Sequence, residues 1–282
     1  MEPTPKAEVQ TAGGFFRLIE IDASETARYP DALDRLRAGD LHAVLVHGIY
    51  DSELLDGVVD RLERHDPPFL QTWFPDAFRS FFYGRNLNLA HPELEEYFDE
   101  AAEFDSQLDA LFPTSLGLTD RISSVLSHLD HGRAFVAPPG PNPEQRYMFT
   151  TIRAHLEGGY IPPHCDNEQT VRPSYRHLAS LIEPPLVSFV LALSKPEAGG
   201  ALQVFNFKYE APKAFLGDAG PPRPKTSELA SVKIHLPPGS LILIDSGRYL
   251  HQVTPVVGRK KRWTVCSFMA LSRGRDVMYC WG

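Results

Sequence analysis

With 282 residues, 43% of them hydrophobic and 23% charged, the chain can bury a core without disulfide staples. Its three cysteines, Cys165, Cys266 and Cys280, lack CxxC spacing. They argue against a disulfide framework or zinc ribbon and fit a reducing, cytoplasmic setting. A formal net charge of −8 disfavours nucleic acid as a partner. No apolar run approaches the roughly 20 residues of a membrane span, and the polar start MEPTPKAEVQTAGG lacks a signal peptide's apolar centre. A soluble protein acting on small molecules is expected, with its oligomeric state left open.

Residues 1–13 read as a loose tail, followed by the strand FFRLIEI and the charged, helix-patterned DALDRLRAGD. LHAVLVHGIY (41–50) is apolar and β-branched, a buried strand. Asp51 or Ser52 then caps SELLDGVVDRLERH, where Leu54, Leu55, Val58, Val59 and Leu62 recur at helical spacing. Residues 92–130 are mainly helical in pattern. VAPPGPNPEQ (136–145) reads as a linker or long turn.

Helical periodicity then gives way to short strands: RYMFTTIRAHL, LVSFVLALS (186–194), GGALQVFNFKYE (199–210), SVKIHL, LILIDS and RWTVCSFMAL, punctuated by Gly and Pro turns. The Pro-rich segment 211–229 reads equally as a lid or as an inert surface loop. The expected fold class is α+β: a double-stranded β-helix (jelly-roll, cupin-like) core over 146–282, with a mainly helical region 1–145 packed on it, the two forming one functional unit.

The sharpest local feature is Pro162-Pro163-His164-Cys165-Asp166-Asn167. On a strand His164 and Asp166 point to one side and Cys165 to the other. His251 follows much later, in RYLHQVTPV after LILIDS. Two imidazoles and one carboxylate make a facial triad that suits Fe(II) and leaves coordination positions open. A bare HxD is equally a hydrogen-bonded turn, and His155, His177 and His235 are rival histidines. What singles out His164, Asp166 and His251 is the ordered set of features around them: TIRAHLEGGYIPPHCD, then PEAGGALQVF, then PPGSLILIDSGRYLHQVTPV, then GRKKRWTVCSF.

This series, from about Arg146 to Leu271, resembles the catalytic core of the Fe(II)/2-oxoglutarate-dependent dioxygenases, particularly the prolyl-4-hydroxylase-like branch. The resemblance implies Fe(II) on the triad, 2-oxoglutarate as co-substrate and dioxygen as oxidant. It also implies a basic residue about ten positions after the second histidine, followed at +2 by Ser or Thr, to bind the distal carboxylate of 2-oxoglutarate. Arg262 and Thr264 share a strand face and match that pattern, with Lys261 as the fallback. A guanidinium grips a carboxylate through two hydrogen bonds, which Lys cannot do.

Tyr147, Thr151 and Arg153 share one parity before HxD and are candidates to line the same cavity, Tyr147 toward 2-oxoglutarate and Arg153 toward substrate, while core packing is at least as good a reading for Tyr147 and Thr151. Asn167, Glu168, Arg172 and Arg176 read equally as a substrate-reading cluster or as a solvated loop. Related halogenases replace the carboxylate ligand with Gly or Ala, so the resemblance implies that with Asp166 in place the outcome is hydroxylation of an unactivated C–H, with release of succinate and CO2; desaturation, epoxidation and ring formation, which diverge only after hydrogen abstraction, stay open. The expected substrate is a free amino acid or related metabolite. A protein hydroxylase and a non-catalytic cupin-like binding module are the alternatives.

Overall fold

The computed structural model describes residues 10–209 and 224–282. The chain opens with strands β1 (Gln10–Ala12) and β2 (Phe16–Asp22), helix α1 (Ala32–Ala38), strand β3 (Ala43–His47) and helix α2 (Ser52–Glu63). Asp51 caps α2 by accepting from the Leu54 amide at 2.8 Å, and the helix buries Leu55, Val58 and Leu62 on one stripe. Two short strands follow, β4 (Gln71–Trp73) and β5 (Ser80–Tyr83), then the amphipathic helices α3 (Glu95–Leu111) and α4 (Leu118–His128).

The strand-rich part comprises β6 (Ala134–Val136), β7 (Thr151–His155), β8 (Ile161–His164), helix α5 (Arg176–Leu181), β9 (Ile182–Ala192), β10 (Ala198–Gly199), β11 (Leu202–Lys208), β12 (Ser231–Ile234), β13 (Leu241–Ile244), β14 (Tyr249–Val253), β15 (Val256–Val257), β16 (Arg262–Ser272) and β17 (Val277–Trp281). Of the segment read as a lid or loop, residues 211–223 lie outside the described residues.

Among the described residues the strands form two principal sheets and a small β10–β15 pair. The large, eleven-stranded sheet runs β1-β2-β3-β13-β9-β16-β7-β5-β4, with β17 pairing β16 and β6 pairing β17. The small sheet runs β12-β11-β14-β8. Alternation along β13 shows how they pack. Leu241 and Leu243 join the core shared with the helices, whereas Ile242 and Ile244 face the small sheet's Leu202, Val204 and Ile234. Helices therefore cover one face of the large sheet and the small sheet closes on the other.

The N-terminal region is more than the helical layer expected of it. Its β2 and β3 run parallel to each other, and β3 pairs antiparallel with β13, so they extend the large sheet. Its β5 pairs with β7 at the other flank.

Candidate active site

Between the sheets lies an inner chamber of about 80 Å³. The small sheet supplies two histidines. His164 ends β8 and His251 sits mid-β14, directly opposite each other in the antiparallel register. Their ring centroids are 4.2 Å apart. Each ring is locked by the carbonyl two residues before it: His164 Nδ1 donates to Pro162 O at 2.8 Å and His251 Nδ1 to Tyr249 O at 3.0 Å. That choice of tautomer leaves both Nε2 lone pairs facing the chamber.

Cys165 remains extended (φ −120°, ψ 136°), so the alternation carries on to Asp166. The Cys165 side chain turns away to pack with Phe205 and Leu250. The Asp166 amide donates to Ser246 O at 2.8 Å. Its Oδ1 lies 3.4 Å from His164 Nε2 and 3.9 Å from His251 Nε2.

One ligand atom from each of the three residues falls within a mutual 4.8 Å, the reach of a single ion. Asp166 is 2% exposed, yet Oδ1 has no hydrogen-bond partner. Burial pushes the Asp166 carboxyl up, but His251 and His164 outweigh it and hold it below its usual range. Burial, aided by His164, lowers His251 to about 4. An anionic carboxylate with an orphaned oxygen beside a neutral imidazole is what a divalent cation requires. The donor set fits Fe(II). Of the rival histidines, His177 meets the Tyr147 hydroxyl at 3.2 Å, and neither His155 nor His235 joins the cluster.

The large sheet supplies the cations. Arg262, Thr264 and Cys266 share the inward face of β16, and across from them on β7 stand His155, Arg153 and Thr151. Arg262 is 6% exposed and has no acidic partner among the described residues. Burial lowers it to about 10, so it stays charged at neutral pH. Gly200 makes room for it, because a Cβ there would lie 2.9 Å from Arg262 Cδ. This accounts for half of the Gly-Gly pair, and Gly199 packs onto the Pro255 carbonyl. Lys261 points the other way and pairs with Glu63.

Tyr147 is not at the chamber. It is fully buried and stacks among Tyr97, Phe98 and His177. Strand β7 begins only at Thr151, so parity counted back to residue 147 has no meaning there.

Beyond the metal triad an outer chamber of about 250 Å³ opens, sharing Arg153, Ile161, His164 and Phe268 with the inner one. Glu168 and Arg172 line it, and Arg172 donates to Asn88 O at 3.1 Å. Asn167 and Arg176 line neither chamber. The Asn167 side chain instead accepts from the Leu186 amide at 2.9 Å, tying the turn after the metal motif to β9. Arg176 is exposed at the start of α5. The sequence reading missed the aromatic wall formed by Phe74, Phe78, Tyr160 and Phe268. Its signal was the aromatic density of WFPDAFRSFFYG (73–84).

The fold and this donor set define an Fe(II)/2-oxoglutarate-dependent oxygenase, an enzyme that uses iron, 2-oxoglutarate and dioxygen. More narrowly, the chain belongs to the family described as carrier-protein-independent halogenase WelO5, whose model matches residues 15–282. Among solved structures it is similar to two of an N-substituted L-amino acid dioxygenase from Burkholderia ambifaria AMMD. One is 15% identical with a TM-score of 0.56. The complex with α-ketoglutarate (2-oxoglutarate) is 14% identical with a TM-score of 0.55. Each alignment covers 90% of this chain and 91% of the other. At that identity the likeness speaks to the fold. No curated protein sequence matches the chain. Among the described residues no helix is long and apolar enough to cross a membrane.

Proposed function

We propose that the enzyme hydroxylates an unactivated C–H bond of a small molecule, an amino acid or related metabolite, although its family is named for a halogenase. The observation that carries this reading is Asp166, a carboxylate between His164 and His251 in the place that halogenation needs vacant for chloride. In this reading His164, Asp166 and His251 hold Fe(II). Arg262 grips the distal carboxylate of 2-oxoglutarate, and Thr264 donates a further hydrogen bond to it. The two facing sheets are the halves of a double-stranded β-helix, and the whole chain works as one unit.

Fe(II) and 2-oxoglutarate, when bound, supply the activation of dioxygen and release succinate and CO2. The protein's own groups do the rest. His164, Asp166 and His251 would hold the metal from the protein side and leave room in the chamber for exchangeable ligands. The apolar walls around the inner chamber, among them Phe189, Leu202, Ile244 and Val253, exclude water from the reacting atoms.

The test is a screen of amino acids and related metabolites for substrate-stimulated succinate formation with Fe(II), 2-oxoglutarate and chloride present. The expected product carries one oxygen atom from isotopically labelled dioxygen. A chlorinated product in its place refutes the reading.

A further inference from the structure

Arg153 is held in an unusual way. It stands on β7 opposite Thr264, and its guanidinium carbon sits 4.3 Å from the centre of the Phe82 ring and 5.5 Å from that of Phe74. Its Nε is buried without a hydrogen-bond partner, and the side chain forms no ion pair among the described residues. Burial lowers its pKa, though not enough to discharge an arginine at neutral pH. It lines both chambers at their junction, beside His164.

Buried charge must balance. His155 is neutral, because burial and the nearby arginines push it well below its usual value. The remaining charges that line the inner chamber are Asp166 and Arg262, both buried, and Arg153, half-buried with its Nε enclosed. Fe(II) adds two positive charges and 2-oxoglutarate two negative ones. Arg262 then answers the distal carboxylate, and the metal with Asp166 answers the other. Arg153 is left over, and one positive charge is unmatched. Glu168 and Arg172 at the outer rim are opposite in charge and do not change the balance.

We propose that the substrate is a carboxylic acid with an apolar body: its carboxylate pairs with Arg153, and its body lies against Phe74, Phe78, Tyr160 and Phe268 in the outer chamber. This rests on the assignment of 2-oxoglutarate to the inner chamber. Stacking on Phe82 and Phe74 fixes the plane of the guanidinium before any ligand arrives, so little side-chain freedom is lost on binding. An anion held at the chamber junction anchors one end of the substrate beside the metal ligands, and the apolar body fills the larger space outward.

The experiment is equilibrium titration calorimetry under anaerobic conditions, on the protein loaded with Fe(II) and 2-oxoglutarate. The probes are 3-phenylpropanoate, cyclohexylacetate and octanoate, each beside its primary amide. At least one acid is expected to bind about tenfold or more tightly than its amide, the scale of a hydrogen bond to a charged group. Arg153→Gln should erase that preference while 2-oxoglutarate affinity changes by less than about threefold, and Arg153→Lys should retain part of it. The proposal is overturned if no acid outbinds its amide in the wild-type protein, a comparison that needs no variant to fold. It is equally overturned if Arg153→Gln spares the preference and weakens 2-oxoglutarate instead. Failure of the underlying assignment looks different: the wild-type protein then takes up no 2-oxoglutarate in the loading titration.

Discussion

The two sheets that enclose the site divide its chemistry. The small sheet carries His164 and His251, with Asp166 just past its edge, all groups that donate electron pairs. The large sheet carries two cations, Arg262, which is buried, and Arg153, which is half-buried. The small sheet's ligands are oriented by their own backbone, through the carbonyls of Pro162 and Tyr249. The arginines are oriented by packing, Arg153 on aromatic rings and Arg262 through the gap at Gly200. An anion that also ligates the metal is therefore drawn across the gap between the sheets. The two walls should fail differently when altered.

The largest effect belongs to the small sheet. Asp166→Ala should abolish substrate-stimulated succinate formation and leave the circular dichroism spectrum unchanged, because the carboxylate serves the site rather than the core. Wild-type turnover in the purified variant breaks the division at its root. On the large sheet, Arg262→Ala should raise the 2-oxoglutarate concentration for half-maximal turnover by about a hundredfold or more, since breaking a buried charged pair costs about 3–5 kcal/mol. It should not alter Fe(II) affinity measured without 2-oxoglutarate. If iron binding collapses as well, the walls are not independent.

A smaller effect probes the seam between the sheets. His42, just before β3, packs its ring 4.5 Å from that of Tyr249 on β14. Burial, with the charges of Arg17, Arg248 and Lys208, lowers it to about 4. The unfolded chain takes up this proton near pH 6.5 and the folded one does not until about pH 4. Stability is therefore full above about 6.5 and falls as pH drops toward 4, by roughly 3 kcal/mol from this residue. Urea unfolding at pH 7 and pH 4.5 measures the loss, and His42→Asn should shrink it. An unchanged pH slope in the variant would remove His42 from the account. The smallest effects are expected from Lys261→Ala and Arg176→Ala, which should leave 2-oxoglutarate dependence and turnover within about twofold of wild type. A crippled Lys261→Ala beside a normal Arg262→Ala would show that the two residues have exchanged roles.

What the sequence made legible follows the same division. His164 and Asp166 lie two residues apart, and alternation is a rule that needs no partner strand to apply; His251 was legible from the order of family motifs after LILIDS. Arg262 was legible by alternation too, since it shares a face with Thr264 within one strand. Tyr147 failed because RYMFTTIRAHL looks like one strand, whereas only Thr151–His155 pairs in the sheet. Asn167 failed because a polar side chain beside a metal motif looks available, while here it satisfies the Leu186 amide. The parallel β2–β3 and β6–β17 pairings depend on contacts between separate segments, which periodicity does not encode. The aromatic wall depends on which side of β5 and its preceding turn meets β7, another long-range fact.

The pair of histidine locks has one more consequence. Because each imidazole is fixed by a carbonyl of its own strand, the donor atoms converge before any ion arrives. A site set in advance does not reshape itself around its guest, so each incoming metal must accept the angles it is offered. Copper(II) and zinc(II) ordinarily outbid iron(II) for nitrogen and oxygen donors, but copper favours a tetragonal field and structural zinc a closed tetrahedron. Two imidazoles and a carboxylate with an open position also serve catalytic zinc, so the preset triad does not by itself turn rival ions away; what it fixes is the angles, and those are a property of two backbone carbonyls that never touch the ion.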